Sequence, residues 1–390
     1  MSDDRPNGAA GAGGSREVAV VAFAQSDHVR RADGLSEAEM LLPVVREVLD
    51  RTGLDTERLG FVCSGSSDYL AGRPFSFTMA LDAVGAWPPV SESHVEMDGA
   101  WALYEAWVKL LTGEADTALV YSWGKSSGGD LPEVLTRTLD PYYLAPLWPD
   151  SVAVAGLQTR ALLDAGITDE RELAGVAARS RNAAAANPRA QLRSSPPPEE
   201  LLADDYLAEP LRRHDLPPVT DGAAAVVLAA GDTARELCAR PAWIRGMDHR
   251  IEAHSPGVRD LTDSPSTRLA AERAGLFDEG APAPDTAELH APFTAQEVIL
   301  RRALRLGEDT VVNPSGGALA ANPVMAAGLI RIGEAADRVL RGTSRRAVAH
   351  ATSGPWLQHN LVAVVEADEA ASAPGTDGGA DAAQAREESR

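Results

Sequence analysis

Apolar residues fall along this chain in two spacings. Short unbroken apolar runs at 18–24, 61–64, 117–122 and 221–230 predict strands buried on both faces. Between them lie stretches with helical spacing. Residues 36–52 predict a helix: Ser36 stands at the cap position, Glu39 three residues on completes a capping box, and Gly53 follows the end. Residues 99–111 predict another, stopped near Gly113. The later part repeats the scheme. It reads as a strand at 242–246, a helix around 264–274, a strand near 286–289 and a helix at 294–306. A glycine turn at 313–317, a helix at 323–340 and strands at 346–351 and 361–366 complete it. The order β-α-β-α-β in both halves predicts a layered α/β fold with an internal duplication.

One region breaks the scheme. Residues 140–218 are punctuated by proline, rich in alanine over 170–186, and carry the run Pro196-Pro197-Pro198. They predict a partly helical inserted loop region lying over the first half. The ends, 1–15 and 368–390, lack the large apolar side chains that could offset the cost of ordering, so both predict disorder. The expected organisation is a first half over 16–235, containing the insertion, and a second half over 236–367.

Composition narrows the function. At 390 residues and 44% apolar content the chain is long enough for two core-bearing halves. Its 57 acidic against 36 basic residues give a net charge of -21. Such a surface repels phosphate backbones and anionic lipid, which sets aside nucleic acid and membrane surfaces as partners. Only two cysteines occur, Cys63 and Cys238, so a disulfide framework is excluded and the cytoplasm is the expected compartment. The polar N-terminus has no signal-peptide core, and no run reaches the roughly 18 apolar residues of a membrane span.

Four segments have the composition of a reaction site. Asp98 stands where a strand runs into the helix at 99–111, a position over free N–H groups that suits a carboxylate, a thiolate or an oxyanion; an ordinary N-cap is the plainer reading. His290 ends a strand, with Pro292 and Phe293 stiffening the loop behind it; it suits a base or an oxyanion donor, and equally a structural histidine. In 313–323, Gly316 and Gly317 permit close approach to a ligand, while Asn322 before Pro323 reads as a helix cap or as an amide donor to an acyl oxygen. The turn at 350–360, with Ser353 and Gly354, leaves room for a ligand and offers backbone amides, or is simply a hairpin. No Gly-x-Ser-x-Gly elbow, phosphate-binding Gly-Lys-Ser/Thr loop or zinc-spaced Cys/His cluster occurs, so no metal site is expected.

Taken in order, these segments resemble the thiolase superfamily, in particular its actinobacterial lipid-transfer-protein-like branch related to steroid side-chain aldolases. The stretch 95–113 is similar to the family's nucleophile helix, with Asp98 in place of the cysteine. The stretch 288–293 resembles the E-x-H-D-x-F segment, with His290 matching the histidine and Ala291 replacing the aspartate. The stretch 313–323 resembles the N-x-x-G-G to G-H-P segment, with Asn322 in place of the catalytic histidine. Ala351, Thr352 and Ser353 stand where the second cysteine belongs.

The resemblance implies a five-layered α/β/α/β/α sandwich of two similar halves, usually a homodimer, with the insertion covering the acyl site. It implies an acyl-CoA substrate, with coenzyme A as part of that substrate and no cofactor bound by this chain, and a small OB-fold partner with a zinc ribbon. The missing cysteines argue against Claisen thiolysis, which needs a thiolate to take the acyl group. The expected activity is retro-aldol cleavage of a β-hydroxyacyl-CoA in steroid or lipid side-chain degradation. His290, Asn322 and Asp98 are the expected catalytic groups, and Gly316, Gly317, Ser353 and Gly354 the support for substrate and oxyanion. A non-catalytic subunit or acyl-CoA and lipid carrier is the first alternative, and acetyl-CoA acyltransfer without the usual cysteine the second.

Overall fold

A computed structural model of the chain describes residues 16–72, 74–85 and 87–368. The end segments read as disordered, 1–15 and 368–390, fall outside the described residues apart from Asp368.

The first half contributes strands β1 (Val18–Gln25), β2 (Phe61–Gly65), β3 (Glu92–Val95), β4 (Thr117–Gly124) and β5 (Gly222–Ala230). The second contributes β6 (Ala242–Ile251), β7 (Thr286–Leu289), β8 (Val311–Val312), β9 (Arg346–Ser353) and β10 (His359–Glu366). In space the first set runs β3-β2-β4-β5-β1 and the second β8-β7-β9-β10-β6. Ranked by sequence within its half, each reads third, second, fourth, fifth, first. The pairing senses match as well. The third-second and second-fourth neighbours are parallel, and the fourth-fifth and fifth-first neighbours antiparallel. The duplication expected from the pattern is thus present in topology without a visible residue repeat. Two residue pairs between β1 and β6, Ala19 with Trp243 and Val20 with Ala242, join the halves.

Helices fill three layers. The outer helix of the first half is α1 (Glu37–Thr52), with the Ser36–Glu39 capping box and left-handed Gly53 that the sequence predicts. Its Met40, Leu41, Val44, Val45 and Val48 are buried against Val21, Val227 and neighbours on the first sheet. Between the sheets lie α2 (Gly99–Leu111) and, from the second half, α7 (Ala327–Leu340). Leu103, Leu110, Leu329, Ile332 and Val339 share one core with inward residues of both sheets. On the far side α5 (Pro265–Arg273) and α6 (Thr294–Ala303) cover the second sheet, with Ala270, Ile299 and Leu300 packing on Leu289, Val348 and Val362. The result is the five-layered α/β/α/β/α sandwich.

Three expectations need correction. The strand read as 242–246 extends through Ile251, because β10 pairs with it along its whole length. The region 140–218 is partly helical as expected, holding the two 14-residue helices α3 (Ser151–Asp164) and α4 (Glu170–Ala183), but it does not simply lie over the first half. Those two helices pack on the second half, Leu162, Leu173 and Val176 burying against Leu289, Ile299 and Leu300, while Arg189 reaches the first half, its carbonyl accepting the His28 N–H at 2.9 Å. The helix read from Pro323 begins at Ala327, so Asn322 does not cap it. The Asn322 N–H is taken instead by Thr220 Oγ1 at 2.8 Å, and Pro323 bridges Thr220 in extended backbone.

Candidate active site

The two central helices meet by their N-termini at Asp98. The residue caps α2, with Oδ1 accepting the Ala100 N–H at 2.9 Å. The same carboxylate accepts from α7, which has no side-chain cap of its own. The Gly328 N–H donates to Oδ2 at 2.8 Å and the Leu329 N–H to Oδ1 at 3.0 Å. Both helix ends favour negative charge here. Asp98 is nonetheless only 2% exposed, and burial outweighs the three N–H donors and the Arg331 charge, pushing its carboxyl up to about 6. A Cβ on Gly328 would stand 2.5 Å from Oδ1 and 2.7 Å from the Ala351 Cβ, so Asp98 and Ala351 flank this glycine on the floor of the site.

Next to Ala351 the second constellation begins. His290 follows β7 and hangs from β9 through its own N–H, which donates to the His350 carbonyl at 3.1 Å. Its Nδ1 accepts the Thr352 N–H at 3.4 Å, so Nε2 carries the proton and donates to Asn322 Oδ1 at 3.1 Å. Burial, with the charges of His350 and Arg331 adding, pushes the imidazole down to about 3, so the ring is neutral. The Asn322 amide is thereby fixed with its carbonyl toward His290. Its Nδ2 donates to no residue among those described. The structure therefore brings His290, Asn322 and Thr352 together, while Asp98 lies against Gly328, which also faces Ala351.

The glycines serve the turn. Gly316 and Gly317 have φ of 100° and 58°, and a Cβ on Gly316 would meet the Cβ atoms of Ala184 and Ala320 at 2.5 and 2.6 Å. The Gly316 N–H donates to the Asn313 carbonyl and the Gly317 N–H to Ser315 Oγ, so the two amides read as oxyanion donors are already engaged. Ser353 ends β9 opposite His359, and Gly354 follows at φ 75°. Thr352 was legible only as a place for a missing cysteine; its N–H proves to be what fixes the tautomer of His290. Behind the turn lies a network with no sequence signal: Glu288 accepts the Ser315 N–H at 3.0 Å and pairs with Arg331 Nη1 at 2.8 Å, both side chains buried. Cys63 is buried in β2, its thiol pushed up by desolvation, and Cys238 is half-buried; neither touches the site. Among the described residues, no group of three or more His, Cys, Asp or Glu is placed to hold a metal ion. No described helix is long and apolar enough to cross a membrane.

Among solved structures, the acetyl-CoA acetyltransferase of Bacillus anthracis superposes with a TM-score of 0.74 at 17% identity, over 91% of this chain and 99% of that one. The fold is that of the thiolases. The Ltp2-ChsH2(DUF35) aldolase superposes equally well, TM-score 0.74 at 18% identity, over 90% of this chain and 98% of that one. In sequence, the thiolase-fold chain is 29% identical over 229 residues to an acetyl-CoA acetyltransferase of Methanothermobacter thermautotrophicus. That match takes in 53% of this chain and spans 58% of the relative's length. A second acetyl-CoA acetyltransferase, from Methanocaldococcus jannaschii, is 24% identical over 355 residues, 82% of this chain and 88% of that one. No family model matches the chain. The resemblance to the thiolase superfamily is thus supported by both sequence relatives and structural neighbours.

Proposed function

We propose that this thiolase-fold chain acts on acyl-CoA thioesters by carbon–carbon cleavage without an acyl-enzyme, the retro-aldol reaction of a β-hydroxyacyl-CoA carrying a steroid or lipid side chain. The observation that carries the reading is the His290–Asn322 pair. A neutral imidazole fixes the Asn322 carbonyl at 3.1 Å and leaves the amide N–H₂ as a preorganised donor. In the reaction a base takes the β-hydroxyl proton and the Cα–Cβ bond breaks. The released electron pair moves onto the thioester oxygen as an enolate, which the Asn322 N–H₂ stabilises. The same proton returns to Cα, so a ketone or aldehyde and a shortened acyl-CoA leave with no net proton change. His290, with its pKa near 3, is too weak to be that base, and Asp98 has both oxygens engaged. A side chain of a partner subunit supplies it.

The name of the Ltp2-ChsH2(DUF35) aldolase joins two components. By analogy we assign this chain an OB-fold partner with a zinc ribbon, alongside a second copy of itself, in the cytoplasm. The test is co-purification with such a partner and incubation with β-hydroxyacyl-CoA thioesters, followed by mass spectrometry. Ketone or aldehyde plus shortened acyl-CoA, formed without free CoA and lost in Asn322→Leu, supports the lyase. Cleavage only on addition of free CoA rejects it.

One observation favours a second reading, a non-catalytic thiolase-fold subunit. Asp98, at the position that resembles the nucleophile's, is closed off by three backbone N–H groups and serves as a brace. Acyl-CoA binding or partner binding with no turnover in the same assay supports it.

A further inference from the structure

A cavity of about 430 Å³ opens beside the C-terminal part of α7, and none of Asp98, His290 or Asn322 lines it. On one wall stand Asp337 and Arg338, three and four residues after Glu334 on α7, with Arg341 just past its end. Opposite stand Gln25 at the end of β1, Arg51 from α1 and the segment 186–189. Ser315, from the turn behind the site, forms part of the floor.

The charge of this cavity runs against that of the molecule. Four arginines, Arg51, Arg189, Arg338 and Arg341, line it against three carboxyls, in a chain of net charge -21. Three of the four are compensated. Arg51 bonds Glu47 and the Phe23 carbonyl, Arg189 bonds Asp27 at 2.8 Å, and Arg341 bonds Asp337 at 2.7 Å. Arg338 is not. Its one carboxylate, Glu288, lies 4.0 Å away and is already paired with Arg331 at 2.8 Å. The Arg338 Nε is buried and has no hydrogen-bond partner among the described residues. That nitrogen is closed off from the cavity, but the two Nη groups of the guanidinium make no hydrogen bond among the described residues and the side chain is 29% exposed, so they are the donors open to an acceptor.

Glu334 adds to the surplus. Its Oε1 accepts from Gln25 Nε2 at 2.5 Å and from Asn187 Nδ2 at 3.2 Å, so it is held by neutral donors only. Burial and the nearby Glu288 push its carboxyl up to about 7, against the pull of Arg331, while Asp337 adds repulsion. His28, which bonds Gln25 at 2.8 Å, is neutral, being pushed down to about 3 by its own burial. Protonation of Glu334 leaves four arginines facing two carboxylates and turns one of those acids into a donor.

We propose that this cavity binds a small organic anion, a carboxylate or a phosphate ester, with Arg338 as the central guanidinium. A guanidinium presents paired N–H groups that match either oxyanion. The volume lies within the roughly 300–1,000 Å³ of small-molecule sites, beyond what a lone inorganic ion fills. The site is separate from the acyl-CoA reading and stands or falls without it.

The probes are sulfate, as a tetrahedral oxyanion of constant charge, and succinate, each titrated calorimetrically into the full chain at low ionic strength. Saturable binding of either one, weakened at least tenfold in Arg338→Gln and unchanged in the exposed Arg273→Gln, supports the site. Preference for sulfate points to a phosphate ester, and preference for succinate to a carboxylate. Sulfate binding weakens from pH 6 to pH 8 in the parent chain and holds in Glu334→Gln. Should Arg338→Gln fail to fold, the largely exposed Arg341→Gln carries the comparison, with a several-fold loss expected. No saturable binding of either probe, or binding equal in the cavity variant and the parent, overturns the proposal.

Discussion

Asp98 Oδ2 accepts the Gly328 N–H at 2.8 Å, so the N-terminus of a helix from one half is capped by a carboxylate from the other. With the bonds from Ala100 and Leu329, one side chain satisfies buried donors on both central helices. Asp98→Ala strips three N–H groups of their acceptor at once. Losing a cap costs about 1 kcal/mol and each buried donor left unpaired about 1–3 kcal/mol, so a loss of about 3 kcal/mol or more is expected. Urea unfolding measures it. A loss under about 1 kcal/mol, within the range of an ordinary surface change, would show that the carboxylate does not brace the helices.

Acid should destabilise the protein, and the sign comes from its buried histidines and carboxyls. His28, His290 and His350 are pushed down to about 3, 3 and 4, so their stabilisation is present above the unfolded value near 6.5 and is lost as pH falls. Asp98 and Glu334 are pushed up to about 6 and 7, so their contribution is lost as pH rises. Between pH 6 and 5 the unfolded chain takes up three protons that the folded chain refuses, and the folded chain holds two that the unfolded chain lacks. His214, also buried and pushed down by desolvation, adds to the histidine side, so stability should fall on acidification over this range. Urea midpoints at pH 7.5, 6 and 5 test this. Stability that rises toward pH 5 would mean that the carboxyls dominate.

Much of the fold was legible because it rests on local pattern. The helix α2 was read to its observed ends, and α1 announced itself by Ser36, Glu39 and Gly53. What failed depended on distant partners. β6 is longer than its apolar run because β10 holds it, and α7 starts late because Thr220, about a hundred residues away, takes the Asn322 N–H. Asp98 looked like an N-cap and is one; nothing near it in sequence showed that it also caps α7. His290 and Asn322 were singled out separately, while their bond and the Thr352 N–H that sets it arise only when β7, β9 and the 321–326 segment converge.

The His290–Asn322 pair makes a kinetic prediction. Asn322→Leu removes the oxyanion donor and should lower kcat about 10²–10³-fold, the usual cost of one such donor. His290→Leu leaves the amide free to turn and should lower kcat less, with KM little changed in both. Because the imidazole is neutral down to about pH 3, kcat/KM should show no histidine limb between pH 5 and 8. An inflection near 6.5 that vanishes in His290→Leu would instead make His290 a titrating base.

The Glu288–Arg331 pair tests how the turn behind the site is held. Both side chains are buried and their 2.8 Å contact is supplemented by Ser315, whose N–H and Oγ donate to the same carboxylate. Arg331→Met leaves a buried carboxylate without its cation and should cost about 3–5 kcal/mol. Adding Glu288→Leu removes that uncompensated charge and should return most of the loss. The return will be incomplete, because the buried Ser315 N–H loses its acceptor, at about 1–3 kcal/mol. A double variant as unstable as Arg331→Met alone would mean that the arginine acts through packing. The coupling, read from urea unfolding of the two single variants and the double, separates these outcomes.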